Sequence, residues 1–169
     1  MMNRRNFLTS ALAFGSLAAF SASGLAASDK GRAKAGAIGR VVKTDEEWRR
    51  QLTPEQYEVT RRAGTEAPGS SPLTDEHRRG TFLCVCCDLP LFSSKAKFDS
   101  HTGWPSFWQP ISKQHVREKE DRSMSEVRTE VLCARCDAHV GHVFNDGPDP
   151  TGLRYCMNGV ALKFVAGKA

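Results

Sequence analysis

Residues 129–144 read TEVLCARCDAHVGHVF, and residues 81–92 read TFLCVCCDLPLF. Each runs from a strand-like stretch into a Cys-x2-Cys knuckle. Two residues between thiols let one tight turn aim both sulfurs at one ion, and two such turns make the tetrahedral four-sulfur set that zinc accepts. The spacing predicts that Cys84, Cys87, Cys133 and Cys136 gather around one structural zinc per chain, joining two distant strand turns. Four protein ligands leave no open position for chemistry. Two disulfides or an iron–sulfur cluster are the alternatives. Cys86, adjacent to Cys87, points away from the ion in this reading. It is either a small buried apolar side chain or a possible resolving thiol.

Outward from the knuckles the pattern is that of strands. HVREKE (115–120) and SEVRTEVLC (125–133) alternate with period two, which sets Val127, Thr129 and Val131 on one side. FNDGPDPTG (144–152) is a turn, and GVALKFV (159–165) reads as a closing strand. KFDSHTGWPSFWQPI (97–111) mixes glycine, proline and aromatics and is expected to be an irregular, packed loop. Upstream, TDEEW (44–48) and TPEQY (53–57) carry capping-box patterns, with Thr44 and Thr53 as N-caps and Gly64 as the stop of the second helix. TEAPGSSPLTDEHRRG (65–80) is turn-rich. The expected fold is mainly β and antiparallel, with short N-terminal helices and the knuckle pair.

The chain has 169 residues, enough for one domain and a short extension. At its N-terminus, NRRNFLTS (3–10) precedes ALAFGSLAAFSASGLAAS (11–28), an apolar stretch broken by serine and glycine. The Arg4–Arg5 pair predicts a Tat-type signal peptide over 1–27 and export to a bacterial periplasm; a noncleaved tail is the alternative. The stretch is too interrupted for stable membrane insertion. Residues 28–43 read as a flexible linker and 44–169 as the domain. Without Arg4 and Arg5 the formal charge falls from +5 to +3, too small an excess to imply nucleic acid. A Tat substrate crosses folded, so its metal can be loaded before its thiols meet an oxidising compartment.

Cys156 stands apart from the other five cysteines, in RYCMN (154–158). As a strand, this stretch puts Arg154, Cys156 and Asn158 on one side and Tyr155 and Met157 on the other. A thiol between a guanidinium and an amide is in an electropositive setting that favours the nucleophilic thiolate. The alternative is an inert core cysteine beside a surface arginine. His139 and His142, three apart and next to the second knuckle, are candidate proton donors near neutral pH. Trp104, held by a Gly-Trp-Pro turn, can form one wall of a small apolar pocket.

LPLFSSKAKFDSHTGWPSFWQPI (89–111), RTEVLCARCDAHVGHVFNDGPDPTGLRYCMNGVALKF (128–164) and the paired knuckles resemble the methionine-R-sulfoxide reductase B family, from about Asp45 to Phe164. The resemblance implies two antiparallel sheets, zinc on Cys84, Cys87, Cys133 and Cys136, and Cys156 as nucleophile. It implies Trp104 on the S-methyl group, with Phe144 beside it as a substrate contact. His139, His142 and Asn158 would surround the sulfoxide, and Arg154 would favour the thiolate. The implied reaction returns methionine from R-sulfoxide in oxidised proteins and peptides, leaving a sulfenic acid on Cys156. A thioredoxin-like or other external thiol is the expected partner, and a monomer the expected state.

The chain departs from that family's pattern at three places. Thr102 stands where many members carry a resolving cysteine, His101 where glycine is usual, and Asn145 where aspartate or proline is common. The usual intramolecular disulfide therefore cannot form, which leaves direct external reduction or Cys86 as a substitute. The rival classes are a zinc-knuckle binding module without catalysis and a disulfide oxidoreductase using Cys-x2-Cys directly.

Overall fold

The computed structural model describes residues 38–167. The proposed signal peptide, and the linker as far as residue 37, lie outside the described residues. Among those described, no helix is long and apolar enough to cross a membrane.

Two short helices open the domain, α1 (Asp45–Gln51) and α2 (Pro54–Arg62). Both form the expected capping boxes. Thr44 and Thr53 accept from the N–H groups of Glu47 and Gln56, whose side chains accept from the cap N–H groups in return. Helix α2 stops at Ala63, one residue before the expected Gly64. Ala63 takes the left-handed conformation, and the Gly64 N–H closes on the Glu58 carbonyl at 3.1 Å. Residues 38–43 have no regular structure, yet this end of the expected linker is tied down. The Val41 N–H donates to the Arg135 carbonyl at 2.8 Å, and Arg40 pairs with Asp137.

The strands are β1 (Gly80–Cys84), β2 (Pro90–Ser93), β3 (Lys97–Phe98), β4 (Ser106–Phe107), β5 (Val116–Asp121), β6 (Arg128–Cys133), β7 (His139–Phe144), β8 (Arg154–Met157) and β9 (Leu162–Ala166). They form two antiparallel sheets, in the orders β2-β1-β9 and β3-β4-β8-β7-β6-β5. The sheets meet through aromatic side chains. Phe92 of β2 stacks on Phe107 of β4 at 4.5 Å, and Phe82 of β1 meets the same ring edge-on at 4.9 Å. All three are fully buried. Such pairs are worth about 0.5–1.5 kcal/mol each beyond the area they bury.

Strand β8 alternates as expected, with Tyr155 and Met157 buried and Arg154 and Cys156 partly open. In β6 the alternation gives way to burial on both sides from Glu130 to Cys133. Val127 falls outside the strand and is exposed, so the expected row starting there is shorter. GVALKFV is not one strand. Gly159–Ala161 form a single 3₁₀ turn, and only Leu162 onward pairs with β1. The cause is a remote carboxylate: Glu66 accepts from the N–H groups of Gly159 and Val160 at 2.6 and 2.8 Å, drawing them out of any ladder.

Strand β7 carries an irregularity opposite Val131/Leu132, next to Gly141 at φ 153°. A Cβ at Gly141 would lie 2.2 Å from the Cys156 carbonyl oxygen and 2.9 Å from the Met157 Cα. No L side chain fits between these backbones. Gly141→Ala is therefore expected to destabilise the domain by about 3 kcal/mol through overpacking and backbone strain, measured by urea unfolding. A loss within 0.5 kcal/mol of zero would contradict this packing.

Candidate active site and metal centre

The two knuckles fold alike. Cys84 N–H donates to the Leu89 carbonyl and Asp88 N–H to the Cys84 carbonyl, both at 2.9 Å. At the second knuckle, Cys133 N–H donates to the Ala138 carbonyl at 2.9 Å and Asp137 N–H to the Cys133 carbonyl at 3.0 Å. Each turn is completed by an aspartate in the left-handed region, Asp88 at φ 60° and Asp137 at φ 55°. Aspartate tolerates that region better than most residues. The shared Cys-x2-Cys-Asp pattern was thus a readable turn signal.

The ligand sulfurs of Cys84, Cys87, Cys133 and Cys136 all lie within 4.8 Å of one another. The Cys84–Cys136 and Cys87–Cys133 separations are 3.7 and 3.5 Å. A tetrahedron with Zn–S bonds of about 2.3 Å has edges of about 3.8 Å, so the set fits zinc. A disulfide needs about 2.0 Å, so these pairs are not disulfides. Cys86 is buried and its carbonyl accepts from Gln51 at 2.7 Å; contrary to the expectation that it points away, its sulfur lies toward those of Cys136 and Cys84, and toward Thr60, because α1 and α2 cover that side of the knuckle.

Cys156 opens on a different feature, a cavity of about 140 Å³. Trp104 and Phe144 give it apolar walls; Thr65, Arg128, His142 and Asn158 give it polar ones, with Gly141 between. Register explains the grouping. Ser106, Cys156, His142 and Glu130 are successive partners across β4, β8, β7 and β6, so their side chains share one row on one face.

His142 binds the Asp121 carboxylate through Nε2 at 2.8 Å, and Arg128 binds the same oxygen at 2.7 Å. Hydrogen bonds from Ser123, then from His142 and Arg128, hold Asp121 well below the usual carboxylate range. Asp121 is therefore ionised and accepts the Nε2–H of His142. Nδ1 is left as the ring nitrogen free for proton exchange.

His139 is placed differently from the expectation. It is not among the residues lining the cavity but lies behind His142, ring centroids 5.3 Å apart. Its Nδ1 pairs with Glu130 at 2.8 Å, while Nε2 is buried without a partner. Burial holds its pKa below the ordinary histidine value against the pull of Glu130, so the imidazole is neutral at neutral pH. Asn158 reaches the cavity wall, but its amide is engaged with backbone. Its Oδ1 accepts from the Glu66 N–H at 3.0 Å, and its Nδ2 donates to the Val140 carbonyl at 3.5 Å.

Arg154 favours the Cys156 thiolate, as expected, but is shared with other partners. Its guanidinium makes a bidentate pair with Asp146 at 2.9 and 2.7 Å and stacks 4.4 Å over Phe144. Much of its charge is thereby answered, and it props one aromatic wall. Burial of the Cys156 sulfur is the largest influence on its proton and raises its pKa above that of an ordinary cysteine. The Thr102 hydroxyl, 3.9 Å from the sulfur, and the Arg154 charge only partly offset that rise. The electropositive setting expected at Cys156 is outweighed by desolvation, and the resting group is the thiol.

Asp121, Arg128, Glu130, Ser106, Thr65 and Glu66 were not singled out in the sequence. Only pairing across strands brings the first four together, and no local pattern marks them.

Residues 52–166 match the family model described as the SelR domain. Among curated proteins, the chain is 57% identical over 127 residues to the peptide methionine sulfoxide reductase MsrB of Herminiimonas arsenicoxydans, covering 75% of this chain and 93% of that one. It is 55% identical over 127 residues to the protein of the same name from Hahella chejuensis, with 75% and 91% covered. It is 58% identical over 125 residues to that of Pseudomonas putida, with 74% and 94% covered.

A raised thiol pKa means that the thiolate is scarce at neutral pH and grows as pH climbs through that value. Alkylation of Cys156 by iodoacetamide, followed by mass spectrometry of its peptide, should accelerate with pH to a midpoint above that of a free cysteine. Thr102→Val, which removes a favourable hydroxyl, should move the midpoint higher. A rate already at its plateau below pH 7 would contradict the burial argument.

Proposed function

The chain belongs to the SelR domain family, and on that premise we propose that it returns methionine from methionine-R-sulfoxide in proteins and peptides by attack of Cys156 on sulfur. It is a peptide methionine sulfoxide reductase, an oxidoreductase, as its curated relatives are. One observation carries the mechanism: Cys156 and His142 are direct partners across β7 and β8 and open on the same small, half-aromatic cavity.

A methyl sulfoxide is an apolar methyl beside a strongly polar S–O bond. Trp104 and Phe144 suit the methyl, and the His142 side suits the oxygen. Since burial favours the thiol, Cys156 must lose its proton as it attacks. His142 Nδ1 is the cavity base for that proton, and Asp121 stabilises the imidazolium that results. The imidazolium then protonates the sulfoxide oxygen. Attack forms an S–S bond from Cys156 to the substrate sulfur, and the oxygen then passes to the Cys156 sulfur as that S–S bond and the substrate S–O bond break. The products are methionine and a sulfenic acid, and the thiol proton is now on its oxygen. Two external thiols then restore the cysteine, releasing water and a disulfide.

The nature of position 102 and the burial of Cys86 both support direct external reduction. Thr102 sits against the nucleophile but has no thiol. Cys86 lies beneath α1 and α2 against the knuckle sulfurs, away from the residues that line the cavity. A zinc ion on the four knuckle cysteines would hold the ends of β1 and β6 together and supply no chemistry. The Arg4–Arg5 pair ahead of an apolar stretch supports export, and protein repair in an oxidising compartment is the role that fits.

Turnover of separate R and S diastereomers, with dithiothreitol as reductant, should show activity on R alone, and Cys156→Ser should abolish it. Activity on S, or activity surviving in the mutant, would sink the reading. Cys133→Ser should lose the stoichiometric zinc measured by atomic absorption and lower the thermal midpoint sharply. Thr102→Cys should trap a 102–156 disulfide after one turnover, seen as a mass loss of two hydrogens. Wild type should show no intramolecular disulfide.

A further inference from the structure

We propose that Glu66 is a positioning residue that sets the size of the methyl pocket by locking Trp104 to the nucleophile strand. This rests on reading the Cys156 cavity as the sulfoxide site. Glu66 lies in the turn-rich segment between α2 and β1, where nothing in the local sequence marks it. It is nonetheless 5% exposed, and its four polar groups are all used across the fold.

Its backbone carbonyl accepts the Trp104 indole N–H at 3.2 Å. Its own N–H donates to Asn158 Oδ1 at 3.0 Å. Its two carboxylate oxygens take the N–H groups of Gly159 and Val160 at 2.6 and 2.8 Å. The next residue upstream, Thr65, lines the cavity directly. One residue thus fastens the aromatic wall, the amide wall and the turn that ends the Cys156 strand. Burial pulls its carboxyl toward the neutral form, and the two backbone donors oppose that pull.

The arrangement has a steric backing. A Cβ on Gly159 would lie 2.0 Å from Ser71 Oγ, so the turn is pressed against the same segment. The Trp104 indole has no other hydrogen-bond partner among the described residues. If Glu66 no longer holds the 158–160 turn, its carbonyl shifts and the indole shifts with it. The pocket then loses its definition on the methyl side while Cys156 and His142 stay in register. That predicts a loss of discrimination rather than a uniform loss of rate.

The test compares wild type, Glu66→Gln and Asp45→Asn, each with zinc content checked. The substrates are the R-sulfoxides of N-acetylmethionine and N-acetylethionine, whose extra methylene probes the wall. Glu66→Gln leaves one oxygen for two donors. It should lower kcat/KM for the methyl substrate about tenfold or more, because small misplacements near the reacting atoms are costly, and change the ethyl substrate far less. Asp45→Asn, which replaces the charged acceptor of the Tyr57 hydroxyl with a neutral one and removes the ion pair with Arg49, should lower the thermal midpoint and leave the methyl-to-ethyl ratio at its wild-type value. A wild-type ratio in Glu66→Gln, or an equal fall on both substrates, would overturn the proposal. If the variant turns over too slowly to measure, the Trp104 indole N–H resonance decides. A shifted, faster-exchanging signal supports the role, and an unchanged one overturns it. Failure of the wild type to reduce either sulfoxide would instead remove the cavity reading, and this inference with it.

Discussion

Four sulfurs from the ends of two strands converge between the sheets, a set that could hold one metal ion. Cys84 ends β1 in the three-stranded sheet, and Cys133 ends β6 in the six-stranded sheet. With Cys87 and Cys136 they converge within 4.8 Å. The sheets are also joined by aromatic contacts, Phe82 and Phe92 on Phe107 and Phe92 on Tyr155. A tetrahedral four-thiolate site would add direction. The second knuckle's own turn sets where β7 begins, since Ala138 closes it and His139 is the next residue. Three residues on, His142 reaches Cys156 because that start was set.

The consequence for chemistry is a division of labour among cysteines. Four cluster where they could hold a metal, one is packed beside them, and one faces a cavity. The cavity cysteine is not held as a thiolate at rest. Its surroundings are hydroxyls: Thr102 at 3.9 Å, itself bonded to Ser100 at 2.8 Å, which bonds the buried Ser106 at 2.7 Å. Neutral donors of this kind stabilise an anion as it forms without charging the site beforehand.

Features that depend on neighbours within a few residues were legible in the sequence. Both capping boxes, both knuckles and the alternation of β8 came through because each is an i, i+2 or i, i+3 relation. The misreadings have one origin. GVALKFV lost its first three residues to a turn because Glu66, 93 residues away from Gly159, captures that backbone. His139 and His142 looked equivalent by spacing. They were separated by an irregularity in the ladder at Val131/Leu132 that no local pattern foretells. Arg154 does favour the Cys156 thiolate, but it shares its guanidinium with Asp146 across the turn, which the pentapeptide does not reveal.

Spacing and contiguous motifs alone were enough for the four-cysteine cluster, the isolation of Cys156, the strand character of the second half and the family. These are local spacings or long contiguous motifs, and short-range sterics suffice to read them. Tertiary structure alone decided which imidazole faces the thiol, which carboxylate holds that imidazole, and whether the thiol keeps its proton. Those answers depend on strand register and on burial. Both are sums over residues far apart in the chain, and the free energy of a charge depends on everything that displaces water around it.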